Sequence, residues 1–257
     1  MVAGPARYAT TGIFSLPESS LVRIQRRQRI MTVRRILDFS RRKCRGLKHR
    51  YNAWQERRFD RQFGISTAGI EYDLAGLGAT GQHLAQAEPY EPIQLPVFKT
   101  IMDAVTIDPR NYAFIDFGAG KGRALVLAAE QGFRRVIGIE FASSLYDLAA
   151  RNIAAYRSRN GRAPPMDLVC ADAVHFRFPD EDAMLFFYNP FNSEVLSKVC
   201  RNMEIAYRSR PRALVIAYRN PLHSNVFDSV DFLTRDVLNE TFAIYHTGAH
   251  VGGAIAS

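Results

Sequence analysis

The sequence is poor in cysteine. Its 257 residues contain three cysteines, Cys44, Cys170 and Cys200, which are odd in number and widely spaced. This pattern excludes a disulfide scaffold, which requires an even set of cysteines, and a Cys-x-x-Cys metal pair, which requires two cysteines three positions apart. A reducing, cytoplasmic compartment is therefore the expected location.

Long apolar runs and metal-ligand clusters are also absent. A continuous apolar stretch such as Ala183–Tyr188 is far shorter than the roughly 18 residues of a membrane-spanning helix, so no transmembrane segment is expected. The first residues lack a basic start followed by an apolar segment, which predicts no secretory signal. His246 and His250 have no acidic pair nearby, and we expect no metal site.

Acidic residues are scarce in one part of the chain. From Arg23 to Arg61 there are 15 basic residues and three acidic ones, whereas the remainder has 19 basic and 22 acidic residues. Apolar residues in this part recur at steps of three and four, which is typical of an amphipathic helix. The pattern predicts a basic arm that either packs on its own domain or binds a nucleic acid, a membrane or an acidic protein surface.

Three parts follow from these patterns: a mobile tail and basic helical arm (1–63), a Gly/Pro-rich loop or lid (64–92), and a folded domain (93–257). In the third part, strand-like and helix-like apolar patterns alternate, which predicts an α/β fold with a parallel sheet and helices on both faces. The predicted strands are 113–117, 135–139, 166–169, 183–188, 213–218, 232–238 and 242–246, and the predicted helices are 95–105, 122–131, 143–157 and 193–208.

A glycine-rich turn follows the first predicted strand. Asp116-Phe117-Gly118-Ala119-Gly120-Lys121-Gly122-Arg123 allows a tight turn and a close approach of backbone N–H groups to a small ligand. It has arginine where the dinucleotide-binding pattern has its third glycine, and it lacks the Gly-Lys-Ser/Thr ending of a phosphate-binding loop. The turn resembles the first motif of class I S-adenosylmethionine-dependent methyltransferases.

Two acidic residues end the next two strands. Glu140 can accept hydrogen bonds from both hydroxyls of a ribose, or it is a salt-bridged surface residue. Asp172 matches the position that holds the adenine amino group in the methyltransferases, or it caps a helix.

Tyr188-Asn189-Pro190-Phe191 ends the fourth strand. It resembles the Asn/Asp-Pro-Pro-Tyr/Phe motif of amino methyltransferases but lacks the second proline. The resemblance implies that Asn189 orients the nitrogen that accepts the methyl group and that Tyr188 and Phe191 cover it. The other interpretation makes these aromatic residues part of the core.

From Phe59 to about Tyr245 the chain resembles a bacterial group of class I methyltransferases, mostly of unassigned substrate, and more loosely the non-SET histone and mitochondrial lysine methyltransferases. The resemblance implies a Rossmann-like fold with a seven-stranded, mostly parallel sheet and S-adenosylmethionine as cofactor. The implied cofactor-binding residues are Asp116, Gly118, Gly120, Gly122, Glu140, Phe141, Asp172, Ala173, Asn189 and Tyr90. The implied catalytic residues are Asn189, Tyr188 and Phe191.

The expected function is methyl transfer to a nitrogen of a protein side chain, lysine in particular. In that case the basic arm would help to dock a protein partner that is acidic or bound to nucleic acid. The alternatives are an RNA or small-molecule methyltransferase, and a non-catalytic binding module that keeps the cofactor fold.

Overall fold

The computed structural model describes residues 50–73, 76 and 89–248. All of these except the first two belong to one compact unit, residues 52–257. The tail, most of the basic arm and residues 74–75 and 77–88 of the Gly/Pro-rich segment lie outside the described residues. The three-part division therefore stays a prediction.

Strands and helices alternate along the unit. The strands are β1 (Ala113–Phe117), β2 (Arg135–Glu140), β3 (Met166–Cys170), β4 (Ala183–Tyr188), β5 (Leu214–Arg219), β6 (Leu233–Leu238) and β7 (Phe242–Thr247). The helices are α1 (50–63), α2 (Leu95–Ala104), α3 (Arg123–Glu130), α4 (Ser143–Arg159), α5 (Ser193–Ser209) and α6 (Ser224–Asp228). Every predicted strand is present, with its ends displaced by one residue at most. The sequence patterns missed α6 and two short 3-10 turns, Pro109–Asn111 and Ala173–His175.

The seven strands form one sheet in the order β3-β2-β1-β4-β5-β7-β6. Strands β1 to β5 run parallel, and β7 is antiparallel to both β5 and β6. The prediction of a Rossmann-like, seven-stranded and mostly parallel sheet is therefore confirmed.

Both faces of the sheet are covered, which explains why β1 and β4 read as continuous apolar runs rather than as alternating ones. Phe114 of β1 belongs to the core on the side of α2 and α3. Its neighbours Ala113 and Ile115 belong to the core on the side of α5 and α6. Successive side chains point to opposite faces, so one strand contributes to two cores.

The strand order places the ligand-binding edge. Because β1, β2, β4 and β5 are parallel, their carboxyl ends lie at the same edge of the sheet. The chain leaves β1 towards β2 on one side, and β4 lies on the other, so the order reverses at β1. Open α/β sheets bind ligands in the crevice at such a point. None of the helices in the described part of the chain is long and apolar enough to cross a membrane.

Candidate active site

The glycine turn connects β1 to α3, and its three glycines have positive φ angles, which residues with a side chain rarely adopt. Gly120 has φ +54°, and a Cβ atom there would collide with the Tyr90 ring. A Cβ atom at Gly118 would lie 2.8 Å from the Cβ atom of Pro190. Both glycines thus allow other groups to approach the backbone of the turn closely.

Glu140 holds this turn from the end of β2. Its Oε2 accepts a hydrogen bond from the Gly120 N–H and its Oε1 accepts one from the Ala142 N–H, each at 2.8 Å. The side chain is buried, so the alternative interpretation as a salt-bridged surface residue is wrong. Burial raises the pKa of Glu140, while the backbone N–H groups lower it.

Asp116 lies at the end of β1 and is 4% exposed. Burial and, secondarily, the nearby charge of Glu140 raise the pKa of Asp116 to about 8. A carboxylic acid with this pKa holds its proton at neutral pH and can ionise when a cation approaches it.

One cleft at this edge collects most of the predicted site residues. It encloses about 260 Å³ and opens between the glycine turn, the ends of β2 and β4, and the segment around Tyr90. The predicted residues that line it are Tyr90, Asp116, Gly118, Gly120, Glu140, Phe141, Tyr188 and Asn189. A smaller cavity of about 40 Å³ shares Gly118 and Phe141 with the cleft and is also lined by Asp172, Ala173 and Phe191.

Gly122 is not brought to the cleft or to the smaller cavity. It is the residue before the first turn of α3, with φ +84°. Its missing side chain makes room for α4, since a Cβ atom would lie 3.4 Å from the Cβ atom of Ala149. A glycine is therefore needed here for the packing of α3 against α4, and not for contact with a ligand in either cavity.

Asp172 caps a short turn, and it also borders a cavity. Its Oδ1 accepts a hydrogen bond from the Val174 N–H at 3.0 Å and so caps the 3-10 turn after β3. It also lines the smaller cavity, which Tyr188 does not line. Capping thus fixes the carboxylate at the edge of a cavity.

Asn189 is held in a strained conformation at the end of β4. It has φ +39°, which is uncommon for a residue other than glycine, and it is 6% exposed. The Tyr218 hydroxyl donates a hydrogen bond to Asn189 Oδ1 at 3.0 Å. The amide is therefore fixed from behind by a buried tyrosine of β5.

The two aromatic residues around Asn189 differ in environment. Phe191 is buried in the core on the α5 side, with its ring edge-on to Phe187 at 6.4 Å, and does not line the cleft. Tyr188 lines the cleft, and the Arg219 guanidinium lies 5.2 Å from its ring centre. Burial and the nearby carboxylate of Glu91 raise the pKa of Tyr188. Of the two predicted aromatic residues, Tyr188 alone lines the cleft.

A polar network that the sequence interpretation missed ties residues 65–71 to the glycine turn. Arg123 Nε donates to Thr67 Oγ1 at 2.7 Å, and Asp60 accepts hydrogen bonds from the Thr67 and Ala68 N–H groups. Lys121 donates to Glu71 Oε1 and to the Ala68 carbonyl. Lys121 and Arg123 were the sequence feature that could have indicated this network, because no acidic residue next to them in the sequence explains two basic residues in the turn.

Comparison with known proteins gives a family for the central part of the chain. Residues 115–209 match the family described as a methyltransferase domain. The match begins in β1 and ends with α5, so it includes the glycine turn, Glu140 and Asn189. No curated protein matches the chain in sequence.

Several solved structures are similar to part of the chain at low identity. A ribosomal protein L11 methylase from Lactobacillus delbrueckii subsp. bulgaricus is 12% identical, with a TM-score of 0.41, over 58% of this chain and 75% of that one. An RNA methyltransferase from Salinibacter ruber, in complex with S-adenosyl-L-homocysteine, is 19% identical, with a TM-score of 0.41, over 61% of this chain and 92% of that one. Precorrin 8W decarboxylase from Methanobacterium thermoautotrophicum is 19% identical, with a TM-score of 0.42, over 62% of this chain and 92% of that one. Likenesses this weak do not select a substrate.

Proposed function

We propose, from the premise that this chain is a class I S-adenosylmethionine-dependent methyltransferase, that it methylates a nitrogen of a protein side chain and that the acceptor is lysine. The observation that carries the acceptor class is the charge of the cleft. The carboxyl groups that line it are Glu91, Asp116 and Glu140, of which Asp116 holds its proton at neutral pH and Glu91 is exposed. The one basic residue among the described residues that line it is Arg123, whose guanidinium is paired with Asp60. An acidic cleft favours a cationic acceptor and disfavours a phosphate backbone.

The residues present fit S-adenosylmethionine. Gly118 and Gly120 line the cleft without a side chain, and the buried carboxyl groups of Asp116 and Glu140 line it beside them. When bound, this cofactor supplies a methyl group on a positively charged sulfur atom. Glu140 would hold the ribose hydroxyls through the lone pairs of its carboxylate that the backbone N–H groups of Gly120, Phe141 and Ala142 leave free. Asp172 would hold the adenine amino group from the smaller cavity.

Asn189 and Tyr188 would position the acceptor nitrogen. The Tyr218 hydroxyl uses one lone pair of Asn189 Oδ1, which leaves the second for an N–H group of the acceptor. With the amide fixed from behind, the acceptor loses orientational freedom before the reaction, and this lowers the barrier to an in-line displacement. The Tyr188 ring at the cleft wall excludes water from the same place.

A lysine acceptor must lose a proton before it can attack. Glu91, which is exposed at the cleft mouth, would attract the protonated amine. Deeper in the cleft, Tyr188 and Phe186 provide apolar surface, which lowers the pKa of an amine by disfavouring its charged form. The proton would thus be released to water at the mouth before methyl transfer.

The test is transfer of radiolabelled methyl groups from S-adenosylmethionine to a cell lysate, divided into protease-treated and nuclease-treated halves. We expect the label to survive nuclease, to be lost with protease, and to be recovered as methyllysine after acid hydrolysis. Label that is lost with nuclease would contradict the proposal and indicate an RNA methyltransferase. Label confined to small molecules would contradict it as well.

A variant pair tests the role given to the cleft charge. Glu91→Gln should raise KM for the labelled protein about tenfold with little change in affinity for S-adenosylhomocysteine, because it removes the attraction for the acceptor amine and changes a contact of Tyr188, but none of the groups assigned to the cofactor. Glu240→Gln, an exposed glutamate in the turn before β7, is the matched control and should leave KM unchanged. Equal KM values for the two variants would remove the support for a cationic acceptor.

A further inference from the structure

The ends of β4 and β5 carry the same dipeptide, an asparagine followed by a proline. Asn189-Pro190 follows β4 directly, and Asn220-Pro221 follows β5. The two strands are parallel neighbours, and the last pair in their register is Tyr188 with Arg219. The two asparagines therefore leave the sheet side by side at the ligand-binding edge, where neighbouring strands lie about 4.8 Å apart.

Both asparagines have a backbone conformation that is uncommon outside glycine. The φ angle is +39° at Asn189 and +54° at Asn220, and among the described residues other than glycine these two alone have a positive φ. A residue before proline ordinarily has an extended conformation with negative φ. Two such exceptions at one edge of a sheet are typical of a functional site, where the surrounding structure maintains the strain.

The side-chain amide of Asn220 is available to a ligand. Asn220 lines the cleft, as Asn189 does, and is half-buried. Its backbone is already used, because its N–H donates to the Thr241 carbonyl at 2.9 Å and its carbonyl accepts from the Leu222 N–H at 2.8 Å. Its amide makes no hydrogen bond with any residue in the described part of the chain. Both the oxygen and the NH₂ group of this amide are therefore unused within the protein.

Tyr218 joins the two asparagine turns. Its hydroxyl donates to Asn189 Oδ1 at 3.0 Å and accepts from the His223 N–H at 3.4 Å. His223 belongs to the turn that begins at Asn220, and Tyr218 itself is buried. One hydroxyl thus fixes the Asn189 amide relative to the turn of Asn220. A ligand that contacts both asparagines meets groups whose positions are set before it binds.

We infer that Asn220 binds the acceptor amine together with Asn189, each side-chain oxygen accepting one N–H group. This inference rests on the proposed methylation of lysine. A neutral primary amine has two N–H groups and one lone pair, so two acceptors leave the lone pair free for the methyl carbon. The lone pair forms the new N–C bond as the C–S bond breaks with its electron pair on sulfur, and the product ammonium releases a proton to water.

This arrangement limits the number of methyl groups that are transferred. A neutral monomethylated amine has a single N–H group, so one of the two amide oxygens would lose its hydrogen bond. The methyl group would also occupy the space of the missing hydrogen. A site that hydrogen-bonds an N–H group discriminates against analogues that lack it. The wild-type enzyme should therefore stop at monomethyllysine.

The ratio of the products tests the inference. Protein from cells that lack this enzyme is incubated with excess radiolabelled S-adenosylmethionine, and the labelled methyllysines are separated after acid hydrolysis. We expect wild-type enzyme to form at least about ten times more monomethyllysine than dimethyllysine. Asn220→Gly accommodates the positive φ and removes the amide, so it should lower kcat and raise the ratio of dimethyllysine to monomethyllysine about tenfold. Its affinity for S-adenosylhomocysteine should not change.

Two further variants provide controls. Asn220→Asp keeps an oxygen acceptor at a residue type that tolerates positive φ, and it should retain the wild-type product ratio. Asn239→Gly is the matched control, because it removes an exposed amide from the turn before β7 and does not alter the cleft. Asn239 Oδ1 accepts the N–H groups of Thr241 and Phe242. This variant should lose stability and keep both kcat and the product ratio.

Several results would overturn the inference and leave lysine methylation standing. These are a wild-type enzyme that forms mainly dimethyllysine or trimethyllysine, an unchanged ratio in Asn220→Gly, and a changed ratio in Asn220→Asp or Asn239→Gly. Reduced affinity for S-adenosylhomocysteine in a folded Asn220→Gly protein would overturn it as well, because Asn220 would then contact the cofactor. The absence of any labelled methyllysine would overturn the proposed function together with this inference.

Discussion

At the scale of single residues, the site contains two carboxylates that burial affects differently. The cost of burying the Glu140 carboxylate is partly offset by hydrogen bonds from backbone N–H groups, including that of Gly120 to one oxygen and that of Ala142 to the other. Asp116 has the pKa of about 8 because burial and the Glu140 charge both oppose its ionisation. A residue with a pKa this far from its ordinary value is more common in functional sites than in purely structural ones.

The raised pKa of Asp116 makes stability depend on pH. Between the ordinary value of 3.8 and about 8, the folded protein holds a proton that the unfolded chain has released. The free energy of unfolding should therefore fall as the pH rises from about 4 to about 8, and Asp116→Asn should reduce this slope. Urea titrations at pH 5, about 6.5 and about 8 would measure it. Glu140 keeps some slope in the variant, because its pKa is also raised. An identical slope in both proteins would show that Asp116 ionises normally.

The hydrogen bond from the Tyr218 hydroxyl to Asn189 allows a test of whether it positions the Asn189 amide or only stabilises the fold. Tyr218→Phe should lower the free energy of unfolding by about 1 kcal/mol and should also lower kcat, because the Asn189 amide loses its fixed orientation. Tyr245→Phe is the control, since this buried hydroxyl bonds to the Ser224 carbonyl and to Asp228 and does not line the cleft. The control should lose similar stability and keep its kcat. A Tyr218→Phe enzyme with wild-type kcat would contradict the positioning role.

At the scale of elements, the glycine turn combines two tasks that the sequence pattern does not distinguish. Gly118 and Gly120 line the cleft, whereas Gly122 lies before α3 and packs towards α4. The same spacing of glycines thus serves ligand approach at its start and helix packing at its end. Arg123 and Lys121 fasten residues 65–71 to this turn, and the Tyr90 hydroxyl donates a separate hydrogen bond to the Thr67 carbonyl.

Alanine substitutions should separate the two tasks. Gly122→Ala places a side chain at φ +84° without narrowing the cleft, so it should cost about 1–2 kcal/mol of stability and leave the affinity for S-adenosylhomocysteine intact. Gly120→Ala drives a methyl group into the Tyr90 ring and should reduce this affinity as well. Thermal unfolding and calorimetric titration of both variants provide the measurement. Reduced affinity in a folded Gly122→Ala protein would return Gly122 to the predicted cofactor contacts.

At the scale of the whole molecule, charge is separated along the chain. Residues 1–49 contain 12 basic and two acidic residues, and the remainder has 22 basic and 23 acidic residues. The compact unit that contains the cleft begins at residue 52. Affinity for polyanions should therefore depend on one end of the chain and methyl transfer on the other.

Removal of residues 1–49 should abolish salt-dependent binding to RNA or heparin and leave the affinity for S-adenosylhomocysteine unchanged. The physical reason is counterion release, which makes the slope of log K against log salt proportional to the number of phosphates neutralised. Binding measured between about 50 and 200 mM salt checks the slope. A truncated protein with the same slope would place the polyanion site on the compact unit.

Apolar periodicity predicted the strands to within one residue, because burial on both faces of a parallel sheet requires continuous apolar runs. It missed α6, since five residues are too few to show a helical period. The glycine turn, Glu140, Asp172 and Asn189 were also predictable, because each follows a strand and parallel strands bring their carboxyl ends together.

The tertiary structure alone decided which of the predicted residues share a cavity. It moved Phe191 and Gly122 away from the cleft, and it brought Arg123, Thr67 and Glu91 to the site. Local sequence cannot supply these facts. Contacts such as Asp60 with Arg123 join residues 63 positions apart, and the folded backbone determines the direction of each side chain. The sequence by itself determined the order of the elements and the chemistry available at their ends, whereas packing determined which groups are buried, paired or left to bind a ligand.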